Sequence, residues 1–359
     1  MISNGVNPSS ILLIRGDYYD VDSKFDYFRA RSGDGVSSID LYDPKYGVDI
    51  STYDLDDRDG EGVTYYRYSF YIQDEFYFAE KWISIASIFL DNFRDIDQSD
   101  QSEFEDSHLT PRFGLVYKSS PTTSWYANYS ESFNPRSINE QEEELNFTYE
   151  PEKGNMIELG VKAKIFDEKF TATMAIYEIN MEDVLANNPL DTGDEDDTHA
   201  YLSSPSVKSQ GLEITLEGDL ATDWTFTANY AYNRIKAENP VEGERVYNGA
   251  GNAVDGSVIF ANAPEHQAGF WTRYNLKGIN SAFSFGAEYF GERYTTIEQR
   301  IKPWVVFDTG WISYFKNGME IQVNIKNSFN EVYAVSGFNI DGHFPGAPRE
   351  FITRLRYSF

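Results

Sequence analysis

The stretch TDWTFTANYAYN, residues 222–233, puts Trp224, Phe226, Ala228, Tyr230 and Tyr232 on one side and Thr225, Thr227, Asn229, Ala231 and Asn233 on the other. A period of two is the spacing of a β-strand, whose successive side chains leave opposite faces of a sheet. The alternation recurs along the chain. NGMEIQVNIKN sets Met319, Ile321, Val323 and Ile325 against Glu320, Gln322, Asn324 and Lys326. MIELGVKAKI sets Ile157, Leu159, Val161, Ala163 and Ile165 against Glu158, Gly160, Lys162 and Lys164, and GLEITLEG sets Leu212, Ile214 and Leu216 against Glu213, Thr215 and Glu217. No segment of comparable regularity has helical spacing, so the fold class is all-β and antiparallel.

About fourteen such segments are expected, near residues 10–20, 63–79, 81–93, 110–119, 121–132, 154–166, 169–181, 206–218, 222–236, 264–277, 281–292, 303–315, 319–328 and 349–359. Their connections alternate in length. Short ones fall at Glu80, KSSPTT, FDEK, GDLATD, KGIN and KNG, where Asn317-Gly318 is a strong hairpin dipeptide. Long ones are expected over 21–62, 94–109, 133–153, 182–205, 237–263, 293–302 and 329–348. Gathering every long loop at one end is the habit of an outer-membrane barrel, with short turns in the periplasm and long loops outside.

Composition fits that habit. Aromatics make up 16% of the chain, yet the mean hydropathy is −0.51. The longest apolar run, WISIASIFL, is about half of the roughly 20 residues a spanning helix needs. A strand crosses with ~9–11 residues, half of them facing water, so a barrel hides from hydropathy averages. The polar rows carry Glu158, Lys162, Lys164, Glu213, Glu217, Glu320, Lys326, Arg354 and Arg356. Charges of both signs in such number exclude a dry interior and call for water or a polar plug. A net charge of −28 argues against nucleic acid as a partner, and with no cysteine there is neither a disulfide framework nor a thiolate metal site.

No catalytic centre is legible. His108, His199, His266 and His343 are scattered, and G-x-S-x-G, P-loop and H-E-x-x-H motifs do not occur. The loops are acidic, with seven carboxylates and no Lys or Arg over 182–200, and six over 140–152. Solvation is the bland account of them and divalent-cation (Ca2+) binding the sharper one. DRDGEG (57–62) holds the first half of a calcium loop, but Tyr68 stands where the closing Glu belongs.

Beyond the pattern, the residues resemble a family. YIQDEF, PRFGLVYK with SWYANYSESFNPRS, GNMIELGVKAKIFDEKFTATMAIYEINMEDVL, VKSQGLEITLEG, NAPEHQAGFWTRYNL, VVFDTGWISY, VNIKNSFNEVY and GAPREFITRLRYSF follow one another as in the C-terminal barrel of TonB-dependent siderophore receptors of the ferric-hydroxamate (ferrichrome) type. The resemblance implies a 22-strand barrel, a ferric siderophore as ligand, active import powered through the TonB complex, and residence in the outer membrane of a Gram-negative bacterium. The whole chain, 1–359, corresponds to barrel; the plug, the TonB box and about eight early strands have no counterpart in it. Residues 1–10 have no basic or apolar leader, so a fragment is expected. A closed barrel of about fourteen strands acting as a passive channel and a secreted soluble β-module remain the alternatives.

Candidate ligand contacts are Tyr126, which strand parity turns into the lumen beside Asn128 and Ser130, Phe133 at the start of a long loop, and Tyr333, Phe338 and Phe344 in the last loop. Aromatic rings and phenols suit the apolar and carbonyl surface of a caged metal, though girdle or loop packing would use the same residues. Iron arriving already chelated needs no protein ligands. Tyr357 and Phe359 resemble the terminal signal that the barrel-assembly machinery reads.

Overall fold

The structure, a computed structural model, describes residues 9–24, 26–29, 36, 47, 49, 51, 53, 56–59, 62–138, 141, 148–187, 201–203, 206–237, 245–246, 251–254, 257–295, 299–337 and 342–358. Fourteen of its strands make one sheet: β1 (Ser9–Ser23), β2 (Val63–Ala79), β3 (Trp82–Asp97), β4 (Glu103–Ser120), β5 (Thr123–Asn134), β6 (Glu152–Ile165), β7 (Phe170–Glu182), β8 (Val207–Ala221), β9 (Trp224–Ala237), β10 (His266–Leu276), β11 (Ser281–Phe290), β12 (Trp304–Tyr314), β13 (Met319–Lys326) and β14 (Glu350–Tyr357). Each pairs antiparallel with its neighbours in chain order, so the sheet is a single up-and-down meander. All fourteen expected strands are present.

The registers keep the two rows apart. Leu212 faces Tyr232 and Ile176, and Ile214 faces Tyr230 and Met174, while Glu213 faces Ala231 and Ala175. A slip of one residue would exchange the rows and put charge into hydrocarbon, at ~2–4 kcal/mol for each Lys or Arg near the middle of the bilayer. On the apolar face large side chains stay open in mid-strand: Ile157 is 54% exposed, Leu159 50% and Ile176 49%. On the polar face charges pair instead, Arg356 with Glu320 at 3.8 Å and Lys326 with Asp308 at 2.5 Å.

The turns at one end are short. Register shifts mark Tyr77/Ala79, Lys118/Ser120 and Asp219/Ala221, each just before such a turn, where a bulge tightens the local twist. Asn317-Gly318 closes β12–β13 as expected. Gly318 has φ 82°, and a Cβ there would lie 2.3 Å from the Ser358 carbonyl oxygen. The terminal strand therefore seats against a turn that only glycine fits.

The other end departs from the expectation of plain loops. The predicted loop 94–109 is mostly strand: β3 runs to Asp97, β4 starts at Glu103, and β2 to β4 have 16 to 18 residues each, longer than the ~9–11 that cross a membrane. Alternation fades there because the buried row of β3 carries Asp95 and Asp97, so the apolar–polar pattern that announces a strand is lost. The stretches expected as loops over 182–205 and 237–263 contain a second sheet of five short strands: Tyr201–Ser203, Leu185–Asn187, Arg245–Val246, Gly251–Val254 and Ser257–Phe260, in that spatial order. Val184 and Val207 are buried at its base, with Met181, Ile235 and Phe260 packed on them.

Among the described residues no ladder joins β1 to β14, so the sheet has two open edges. The self-closed fourteen-strand channel does not form here. The apolar face likewise argues against a soluble module.

Substituting Gly318→Ala is expected to lower stability by at least about 1 kcal/mol, since a positive φ costs L-residues roughly 1–2 kcal/mol before any clash. Urea titration of tryptophan fluorescence in detergent checks this; an unchanged midpoint would mean the turn relaxes freely.

Candidate ligand site at the wide end of the sheet

Two side-chain clusters stand at the long-loop end. The first lies on the polar face of β2 to β4, where Phe133 from the other row of β5 meets it. Phe93 is 1% exposed, and its ring lies 5.9 Å from Phe104 and 6.1 Å from Phe133, whose ring is 4.8 Å from His108. Arg67 covers Phe93 at 5.1 Å and donates from Nη1 to Asp95 Oδ1 at 2.7 Å. Asp95 is fully buried and its Oδ2 has no partner. Register explains the gathering, since Arg67 faces Phe93 on β3, and Phe93 faces Asp106 while Asp95 faces Phe104 on β4. The cluster thus leaves parts of the Phe104, Phe133 and His108 rings open around a buried Phe93, beside one half-buried cation paired with Asp95.

The second cluster ties three connections together. Arg293 is 1% exposed without a carboxylate partner among the described residues. Its Nη2 donates to the carbonyls of Ala334 at 2.6 Å and Val335 at 3.0 Å, and its guanidinium lies over Phe290 and Trp304 at 5.6 and 5.9 Å. Trp304 Nε1 donates to the same Ala334 carbonyl at 3.1 Å. From the connection before β10, Asn262 Nδ2 donates to the Gly337 carbonyl at 3.0 Å while Asn262 Oδ1 accepts from the Gly337 amide at 2.8 Å. Asn327, 3% exposed, accepts from the Asn–Glu turn at Glu331 N and donates to the Glu331 and Ala347 carbonyls. These hydrogen bonds clamp the base of the last loop.

The expected contacts distribute unevenly over this geometry. Phe133 joins the first cluster, but as part of β5 rather than as the start of a loop. Tyr333 packs at a tilt against Trp304, ring centroids 4.5 Å apart, and fills the space over Gly346, whose Cβ would meet its ring at 2.1 Å. Burial, with Glu288 and Asp308 nearby, pushes its phenol above the usual range. Phe344 is well exposed on the short strand His343–Pro345. Tyr126 does share the polar face with Asn128 and Ser130, but its ring covers Gly160 only four residues from the short turn. It lies about 23 Å along β5 from Phe133, at ~3.3 Å per residue, and is not brought to it. Phe338 and Phe359 lie outside the described residues; Tyr357 is exposed at the tip of β14 opposite Met319. Asp57 and Asp59 of DRDGEG stand on the short strand Asp56–Asp59, and Gly60 and Glu61 lie outside the described residues. Among the described residues no three His, Asp or Glu side chains converge as a cation cage requires.

Sequence reasoning missed Arg67, Phe93, Asp95, Arg293 and Trp304. The available signal was an Arg directly opposite a Phe in register, which needs the pairing to be known first.

Arg67→Ala is expected to cost ~3–5 kcal/mol by stranding the Asp95 charge, while Arg67→Ala with Asp95→Ala should cost clearly less. Denaturation of Arg67→Ala, Asp95→Ala and the double variant decides; a double loss equal to the sum of the two single losses would show that the pair is not coupled.

Comparison with known proteins places this architecture. Residues 5–328 match the family described as TonB dependent receptor-like, beta-barrel. The metal-pseudopaline receptor CntO of Pseudomonas aeruginosa is 24% identical over 339 residues, 90% of this chain and 45% of that protein. The catecholate siderophore receptor Fiu of Escherichia coli is 24% identical over 219 residues, 59% of this chain and 26% of that protein. The crystal structure of BauA, the ferric preacinetobactin receptor from Acinetobacter baumannii, superposes with a TM-score of 0.78 at 18% identity, over 99% of this chain and 52% of that one. The chain spans about half the length of these matched proteins or less. A match over nine-tenths of the chain, on a fourteen-strand meander with one apolar face, identifies it as a member of the TonB-dependent receptor β-barrel family, a family of Gram-negative outer-membrane receptors rather than enzymes.

Proposed function

We propose that the chain forms the barrel wall of a receptor that imports ferric siderophores with energy delivered through the TonB complex to a plug outside these residues. The observation that carries this reading is the ring cluster at the long-loop end, where Phe133 of β5 meets Phe93, Phe104 and His108 on the polar face of β3 and β4 with Arg67 beside them. Chelated iron presents a bulky face of apolar and carbonyl surface, neutral in a tris-hydroxamate and anionic with aromatic rings in a tris-catecholate. Aromatic planes with one cation complement it, and the metal itself stays within its chelate. Phe133 belongs to that contact, with Tyr333, Phe338 and Phe344 approaching from the last loop; Tyr126 serves the wall. The finer assignment, a hydroxamate chelate, rests on the sequence resemblance. The catecholate receptor among the relatives makes a catecholate the competing ligand.

Open edges cannot face hydrocarbon, because each unpaired backbone group there costs several kcal/mol. In this reading β1 and β14 pair with strands additional to the fourteen, the apolar face meets outer-membrane lipid, and the assembly machinery recognises Tyr357 and Phe359. Calcium bound among the acidic loops is a subsidiary expectation, supported by their charge.

Phe133→Ala is expected to weaken ferric-siderophore binding at least tenfold, or about 1.4 kcal/mol, with the fold intact. Quenching of tryptophan fluorescence by ferric hydroxamates and, in parallel, ferric catecholates checks this. No saturable quenching by either class would remove the siderophore reading, and preference for the catecholate would remove the hydroxamate assignment alone.

A further inference from the structure

The sheet does not stay whole to its upper rim. The β4–β5 ladder stops at Arg112 opposite Ser130, whereas β3–β4 continues to Ile96 opposite Glu103, and β5–β6 to Asn134 opposite Glu152. Pro111 supplies the reason. Lys118 N donates to the Lys81 carbonyl and Asp97 N to the Ser102 carbonyl, so even-numbered residues of β4 aim their backbone groups at β3 and odd-numbered ones aim theirs at β5. Pro111 is the next odd position and has no N–H to give Glu131, and the pairing lapses there. The level is the top of the apolar band, where the apolar row of β5 passes from Tyr129 to Glu131.

Above the lapse β5 passes on the polar-face side of β4. Phe133, in the row of Trp125 and Tyr129, meets Phe93 and His108 from the opposite row of β3 and β4, at 6.1 and 4.8 Å. Glu105, Ser107 and Leu109 are left with a backbone edge that no ladder covers among the described residues. The Ser107 N–H turns to Asp106 Oδ1 at 2.6 Å instead. The β3–β4 register is unshifted along this stretch, so the edge is regular; no bulge twists it away and no lysine stands on it. Its side chains are acidic. Arg94 engages Glu103 at 2.5 Å, while Glu105 and Glu131 form no ion pair among the described residues.

We propose that this edge receives an extended, lysine-rich segment of another polypeptide, added antiparallel to β4 as a further strand. One row of its side chains would stand opposite Glu103, Glu105, Ser107 and Leu109, with Glu131 at its base, and cations in that row meet carboxylates that have none. A second copy of this chain does not fit. Pairing β4 antiparallel with itself needs a two-fold axis across the strands, which would invert one copy in the membrane, and parallel pairing would crowd Glu105 against its own copy. The site uses the backbone edge of β4 and none of the rings assigned to the siderophore, so it stands apart from that reading.

The test uses the complete chain in mild detergent and labelled octapeptides, with binding read by fluorescence anisotropy. A peptide alternating lysine and valine is expected to bind saturably, and one alternating glutamate and valine at least tenfold more weakly. With its lysines opposite Glu103 and Glu105, the lysine amides face β4 and the valine amides face away. N-methylation of the lysine amides should therefore abolish binding, whereas N-methylation of the valine amides should preserve it. Glu105→Pro removes a donor from the free edge without touching the β3 ladder, and should weaken binding at least tenfold with circular dichroism unchanged. The same variant leaves the open edges of β1 and β14 as they are. Absence of saturable binding by the lysine peptide, or equal binding by the two methylated peptides, would overturn strand addition. Equal binding by the wild type and Glu105→Pro would overturn it in favour of another edge, and equal binding of the glutamate peptide would overturn the basic partner.

Discussion

Hydrocarbon offers no hydrogen bonds, and this scarcity governs the whole chain. A backbone that crosses a membrane as strands must satisfy every amide on a neighbouring strand. Between its two open edges the fourteen-strand meander does so through an unbroken series of antiparallel ladders from β1 to β14. Everything else is arranged around that condition. Turns at one end are as short as the pairing allows, bulges sit beside them, and glycine closes the β12–β13 hairpin where a side chain would strike the terminal strand.

Because the backbone is committed, recognition falls to side chains and connections. The sheet's polar face handles its charges locally, as with Arg356–Glu320 and Lys326–Asp308. The region above the membrane is built differently. There the strands overrun the bilayer, the connections after β7 and β9 build a small sheet on a buried Val184–Val207 base, and Arg136 ties the β5–β6 connection to the Asp183 carbonyl at 2.5 Å. These connections are packed structure, with their own buried residues Ile138, Tyr149 and Val184. Such an outer rim can hold ligand-facing groups at fixed positions, which binding requires.

Strand number, order and facing were legible because the membrane enforces period two over ~9–11 residues, and Ile157, Leu159 and Val161 obey it without exception. Above the bilayer lipid no longer imposes an apolar row, the buried positions of β3 there include Asp95 and Asp97, and 94–109 consequently reads as loop although most of it is strand. The site was legible only in fragments. Phe133 could be picked out as an aromatic near a boundary, but Arg67, Phe93 and Asp95 come from two strands and become neighbours only through register. Tyr126 shows the opposite error: parity gave its face correctly, yet height along the strand, which parity does not encode, places it over Gly160 near the short turns. Asp74, in the apolar row between Ile72 and Phe76 with a buried, unpartnered Oδ1, breaks the alternation, and nothing in the structure explains it.

Arg293 has one more consequence. By gripping the carbonyls of Ala334 and Val335 while Asn262 grips Gly337, it couples the segments before β10, after β11 and after β13 as a mechanical linkage. A load applied at Phe344 is therefore shared by all three segments, and the outer rim tilts there like a hinged plate instead of bending like a lone tether.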